Sequence, residues 1–136
     1  MHEHFDHTAD LGLRATSPDM ATLFAEMACC LTAAMIDRPE TIEEAEAVTV
    51  ELADGDRDFL LFDWLRAILH LFEDRRFLGR RFEVTIDGNQ LKAAIWGEPA
   101  DAERHPLSHE VKAVTYHGLK VEQTADGWLA EAIVDI

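Results

Sequence analysis

The sequence is short of basic residues and of cysteine, and it has no long apolar run. Twelve lysines and arginines stand against twenty-seven aspartates and glutamates, giving a net charge of −15. Nucleic acids are held chiefly by Lys and Arg that neutralise phosphates, so unaided RNA or DNA binding is not expected. A surface of this sign attracts divalent cations or a basic protein partner; solubility alone also accounts for it. The only two cysteines, Cys29 and Cys30, are neighbours. That spacing suits neither a domain-spanning disulfide nor a C-x-x-C motif, and predicts reduced thiols with at least one buried. No segment approaches the roughly 20 apolar residues of a membrane span. Met1-His2-Glu3-His4-Phe5 lacks the basic and apolar regions of a secretory signal, so a cytoplasmic protein is expected.

What is present fits one folding unit. The 136 residues are 48% hydrophobic, carry no repeat or Gly/Ser linker, and predict a single domain over 1–136. Ser17-Pro18-Asp19 reads as a helix start, with Ser as N-cap and Pro at the first helical position. Met20, Leu23, Phe24, Met27, Leu31 and Met35 then recur at three or four residues, one face of a helix that should pack on a sheet. A strand is expected at 48–53, and after Asp54-Gly55-Asp56 a second helix at about 58–73. Its apolar residues, from Phe59 to Phe72, cover more than one stripe, so it is buried on two sides or offers a surface to a partner. Within it, Asp63 is expected to face solvent and pair with Arg66.

Strand patterns occupy 82–86 and 90–96, joined by the hairpin signal Asp87-Gly88-Asn89, then 110–116, 119–123 and 128–136. With an early strand at 11–16, the class is α+β: two helices packed on a mostly antiparallel β-sheet.

The common catalytic signatures are missing: no G-x-S-x-G, phosphate loop, G-x-G-x-x-G or H-E-x-x-H is present. Three groups of residues remain. The strand ending in Asp135-Ile136 sets a side-chain carboxylate beside a main-chain carboxyl, a pair that hard divalent cations would compensate. A strand ending in a solvated Asp is the alternative. At the other end, His2, His4, His7 and Asp10 are ligand types without a zinc spacing; solvated histidines near a mobile end are the better reading, and Asp10 equally suits a turn-capping residue. Lys112, one of three lysines, alternates with Glu110, Val114 and Tyr116 on one face of its strand, and serves either phosphate or carboxylate binding or a cross-strand salt bridge.

Several stretches in a fixed order resemble the archease family: His7-Thr8-Ala9-Asp10 with Leu11-Gly12-Leu13, Leu23-Phe24, Leu60-Leu61 with Trp64-Leu65, Gly97-Glu98, Val111 to His117, and Val134-Asp135-Ile136. The resemblance spans nearly the whole chain. It implies a non-catalytic accessory protein that activates an RtcB-type GTP-dependent RNA ligase in tRNA splicing and RNA repair, promoting ligase guanylylation and multiple turnover. It further implies a divalent metal (calcium, magnesium or manganese) held by Asp10, Asp135 and the carboxyl group of Ile136, and a part in activation for Lys112. RNA would be reached only through the ligase. Two other readings stand beside it: a chaperone of a partner such as a tRNA methyltransferase, and a metal-dependent hydrolase using His7 and Asp10. Oligomeric state is not readable from the residues.

Overall fold

In the computed structural model, which describes residues 1–7 and 10–136 apart from the side chain of His7, two antiparallel sheets and two helices enclose one core. In chain order the elements are β1 (His2–His7), β2 (Asp10–Ser17), α1 (Met20–Met35), a 3-10 turn (Pro39–Thr41), β3 (Glu46–Ala53), α2 (Arg57–Arg75), β4 (Phe77–Asp87), β5 (Gln90–Pro99), β6 (Ala113–Val114), β7 (Lys120–Thr124) and β8 (Gly127–Asp135). The first sheet runs β1-β2-β8, with β6 and β7 sharing the far edge of β8; the second runs β3-β5-β4. The α+β reading holds, with the strands divided between two sheets rather than gathered in one.

The β2–β8 pair organises the first sheet. Leu11, Leu13 and Ala15 lie opposite Val134, Ala132 and Ala130, and all six are buried. The intervening residues Asp10, Gly12 and Arg14 lie opposite Asp135, Ile133 and Glu131 on the other face. Strand side chains alternate with period two, so this apolar row sets which residues turn away from the core.

Helix α1 packs on β2 and β4 and so bridges the sheets. Asp19, not Ser17, is its N-cap, accepting the Thr22 N–H at 2.8 Å, so Pro18 precedes the helix. An Asp side chain reaches the first free N–H groups as well as Ser does. Helix α2 is capped by Asp56, which accepts the N–H groups of Asp58 and Phe59. It buries Leu60, Leu61, Trp64, Leu65, Ile68 and Leu69, and the fully buried Trp64 donates its indole N–H to the Phe24 carbonyl at 2.9 Å. One buried hydrogen bond therefore joins the two helices where apolar packing alone would leave their rotation loosely set.

Three other expectations need correction. The first residues remain largely exposed but form the ordered strand β1: His2 Nδ1 lies 3.1 Å from Glu26 Oε2, and His4 Nε2 is 3.0 Å from the Cys30 carbonyl oxygen. Both imidazoles hold β1 against α1. The strand expected over 110–116 shrinks to Ala113–Val114, and its alternation fails because Lys112 and Ala113 are both exposed while Val111 and Val114 are buried. Asp63 is half-buried and lines a cleft with Asp54, and Arg66 acts on it only at longer range, without an ion pair. The thiol reading stands: Cys30 is buried, and burial pushes its pKa up to about 12, which keeps it protonated.

Gly97 marks the tightest backbone approach, because a Cβ there would lie 1.9 Å from the Leu78 carbonyl oxygen. The atoms it would meet, from Leu78 and Gly79, are all backbone and cannot swing aside. Gly97→Ala should lower stability by about 3 kcal/mol, at the upper end of overpacking costs, read as a fall in the urea midpoint at unchanged slope.

Candidate functional site

The outer face of the first sheet is built in rows across the strands. One row contains Glu3, Arg14, Glu131 and Lys120, and ion pairs close it: Arg14 Nη1 to Glu3 Oε1 at 2.7 Å, Arg14 Nη2 to Glu131 Oε2 at 2.5 Å, and Lys120 Nζ to Glu131 Oε1 at 3.0 Å. The two cations hold the Glu131 carboxyl below its ordinary range despite its partial burial. In the next row the Phe5 ring lies over Gly12, where a Cβ would come within 2.3 Å of it.

The last row brings the candidate residues together. Asp10 is the cross-strand partner of Asp135, Asp135 is also the partner of Ala113, and the Lys112 N–H donates to the Asp135 carbonyl at 2.8 Å. Directly opposed residues of an antiparallel pair project to the same face with Cβ atoms about 4.5–5.5 Å apart. Asp10 and Asp135, separated by nearly the whole sequence, are thus neighbouring carboxylates. Asp10 is half-buried and Asp135 exposed, while the half-buried Ile136 packs against the core. His7 is the backbone partner of Asp10; its side chain, with Thr8 and Ala9, lies outside what the structure describes. Among the described residues no three His, Cys, Asp or Glu side chains converge as a metal set. The third donor that the family resemblance implies, the carboxyl of Ile136, is a main-chain group and not one of these side chains.

Lys112 stands apart from the other lysines. Lys120 is paired with Glu131, and Lys92 lies 3.8 Å from Glu51. Lys112 is exposed and forms no ion pair among the described residues, so the expected cross-strand salt bridge is not what occupies it.

Gly97-Glu98 has a structural explanation. Glu98 is buried, accepts the Glu43 N–H at 2.7 Å, and receives both Arg104 terminal nitrogens at 2.9 and 2.6 Å. His105, only 2% exposed, accepts the Asp101 N–H on Nδ1, leaving Nε2 to carry the proton 3.3 Å from Glu98 Oε2. This network fastens the segment after β5 to the residues before β3.

A second concavity was not foreseen. Asp54, Phe59, Phe62, Asp63 and Tyr116 line a cleft of about 550 Å³ between α2 and the segment after β6. Phe59 and Phe62 belong to the apolar excess of α2, which was the available signal. Another cavity, about 590 Å³, lies beside the α2 N-terminus and is lined by neither Asp10 nor Asp135.

Comparison with known proteins places this geometry. The model of the Archease protein family (MTH1598/TM1083) matches residues 2–136. The chain belongs to the archease family. The archease of Methanopyrus kandleri is 38% identical over 138 residues, covering 98% of each chain, and that of Pyrococcus abyssi is 35% identical over 139 residues, covering 98% of this chain and 97% of the other. The solution structure of Methanobacterium thermoautotrophicum protein 1598 superposes with a TM-score of 0.87 at 32% identity, covering 99% of this chain and 98% of that one. A Thermotoga maritima archease described as a possible chaperone superposes at 0.63 with 21% identity over 100% and 98% of the two chains, a likeness of fold alone. Among the described residues of this family member, no helix is long and apolar enough to cross a membrane.

The Glu98 network sets a pH dependence. Hydrogen bonds from Arg104 and the Glu43 N–H hold the Glu98 carboxyl at about 2, below its ordinary 4.5. A depressed folded-state pKa contributes stability above the unfolded value that is lost as pH falls toward the folded one. Glu98→Gln should therefore cost about 1–3 kcal/mol at neutral pH. In urea titrations its deficit should shrink between pH 4.5 and about 2.

Proposed function

We propose that this archease activates an RtcB-type RNA ligase, promoting its guanylylation and multiple turnover, by presenting the carboxylates of Asp10 and Asp135 with a divalent cation. The cross-strand pairing of these two residues carries the reading. Two side-chain carboxylates on one face, with the carboxyl of Ile136 next in the chain, form an oxygen donor set of the kind hard cations prefer, whether calcium, magnesium or manganese. A bound cation would supply positive charge and a hard Lewis acid on the face turned to the ligase. Lys112, tied through its own N–H to the Asp135 carbonyl, adds an exposed ammonium next to that face. The net charge of −15 would steer the protein to a basic partner, an effect on encounter rate more than on affinity.

Multiple-turnover ligation by the cognate ligase tests this. Asp10→Ala, and a variant with two residues appended after Ile136, should lose most of the stimulation and bind the cation at least roughly tenfold more weakly by calorimetry, in the range that perturbed metal sites lose. Full stimulation by both would overturn the site. Lys112→Ala should lower stimulation without moving the melting temperature, since the side chain is exposed and outside any ion pair among the described residues. Stimulation indifferent to chelation, together with suppressed aggregation of a partner, would point to a chaperone role instead. Turnover of cyclic-phosphate RNA by the purified protein alone would point to a hydrolase.

A further inference from the structure

The aromatic cleft beside α2 combines two features that point to one kind of occupant. Tyr116 lies face to face on Phe62, ring centroids 4.1 Å apart and planes 14° from parallel, and meets Phe59 edge-on at 5.7 Å. Phe62 is buried, yet Phe59 is 46% and Tyr116 62% exposed, so the outer part of this stack faces water. Beside it stand Asp54 and Asp63, both half-buried and both lining the same cleft. Burial, and then the Asp54 charge, push the Asp63 carboxyl above its ordinary range. Two carboxylates held this close repel when both are ionised, and a cation between them would relieve that.

We propose that the cleft formed by Tyr116, Phe59, Asp54 and Asp63 receives an arginine side chain of a basic protein partner. A guanidinium is planar and always charged: it stacks on an aromatic face and donates to carboxylates from its edge, matching both walls at once. An ammonium would satisfy the carboxylates but stack poorly. A nucleobase would stack, but its phosphate would meet two carboxylates on a protein of net charge −15. Tyr116 is three residues beyond Ala113, the partner of Asp135, so at most about 10 Å of chain separates the cleft from the carboxylate row. The proposal deepens the docking part of the function above and assigns it a second anchor.

Tyr116 is the only tyrosine, so its ring resonances report on the cleft without ambiguity. Acetyl-Gly-Arg-Gly-amide should shift them saturably, and its citrulline counterpart, the same shape without charge, should bind at least roughly fivefold more weakly. Asp63→Asn, which relieves repulsion and so spares the fold, and Tyr116→Ala, at an exposed position and followed by calorimetry because it removes the reporter ring, should each weaken arginine binding by a similar factor. An absent Tyr116 response, an equal response to citrulline, or preference for a single-stranded oligonucleotide would overturn the proposal. In ligation assays Tyr116→Ala should raise the protein concentration for half-maximal stimulation while keeping the maximum, whereas Asp10→Ala should lower the maximum. An unchanged half-maximal concentration would overturn the cleft as an anchor. If the wild-type protein gives no stimulation, the activation reading falls, and the peptide titration still decides the cleft.

Discussion

Antiparallel pairing of β2 with β8 holds two distant stretches of chain in one register, and the candidate site exists only in that register. Leu11, Leu13 and Ala15 against Val134, Ala132 and Ala130 form an apolar row that α1 covers. A slip of one residue would turn that row to water and bring Asp10 and Arg14 inward. Burial of the inner row therefore specifies the outer one, and Asp10 meets Asp135 without any direct attraction between them.

The outer face carries its charge in two ways. Near β1 and β7, acids and bases alternate across the strands and neutralise each other in Glu3, Arg14, Glu131 and Lys120. At the opposite end of the same strands, two carboxylates adjoin, with an exposed lysine held by its backbone alone. Exposed ion pairs contribute little to stability, so the first arrangement serves mainly to order the sheet. In the second, strand register brings two acids side by side. That juxtaposition is why this end of the sheet is the functional candidate.

Legibility in the sequence followed the physics of each element. Both helices were readable because their apolar spacing is regular and their faces are buried; α1 ends at Met35 as expected, and only its cap moved, from Ser17 to Asp19. The hairpin at Asp87-Gly88-Asn89 was readable because Gly88 takes a positive φ of 61°, which glycine adopts without strain. Strand β1 was missed because its residues are largely polar and its partners, Glu26 and the Cys30 carbonyl, lie on a helix distant in sequence. The segment around Lys112 was misread because its chain leaves regular pairing just before Ala113, where period-two alternation ceases to apply. Asp10 and Asp135 were each visible, but their adjacency is a property of register, which no local pattern contains.

The β2–β8 pairing also bears on how the site comes into being. Its closure brings together residues from opposite ends of a 136-residue sequence, a long-range contact that must offset a large loss of chain freedom before it returns any stability. The hairpin of β4 and β5, the helices and the second sheet need far shorter loops to form. A molecule that has completed those parts but not seated β8 would have a nearly finished core, an open strand edge along β2, and no carboxylate pair. Assembly of the candidate site thus doubles as a report of completed folding: a chain able to present Asp10 beside Asp135 has already sealed its most vulnerable edge.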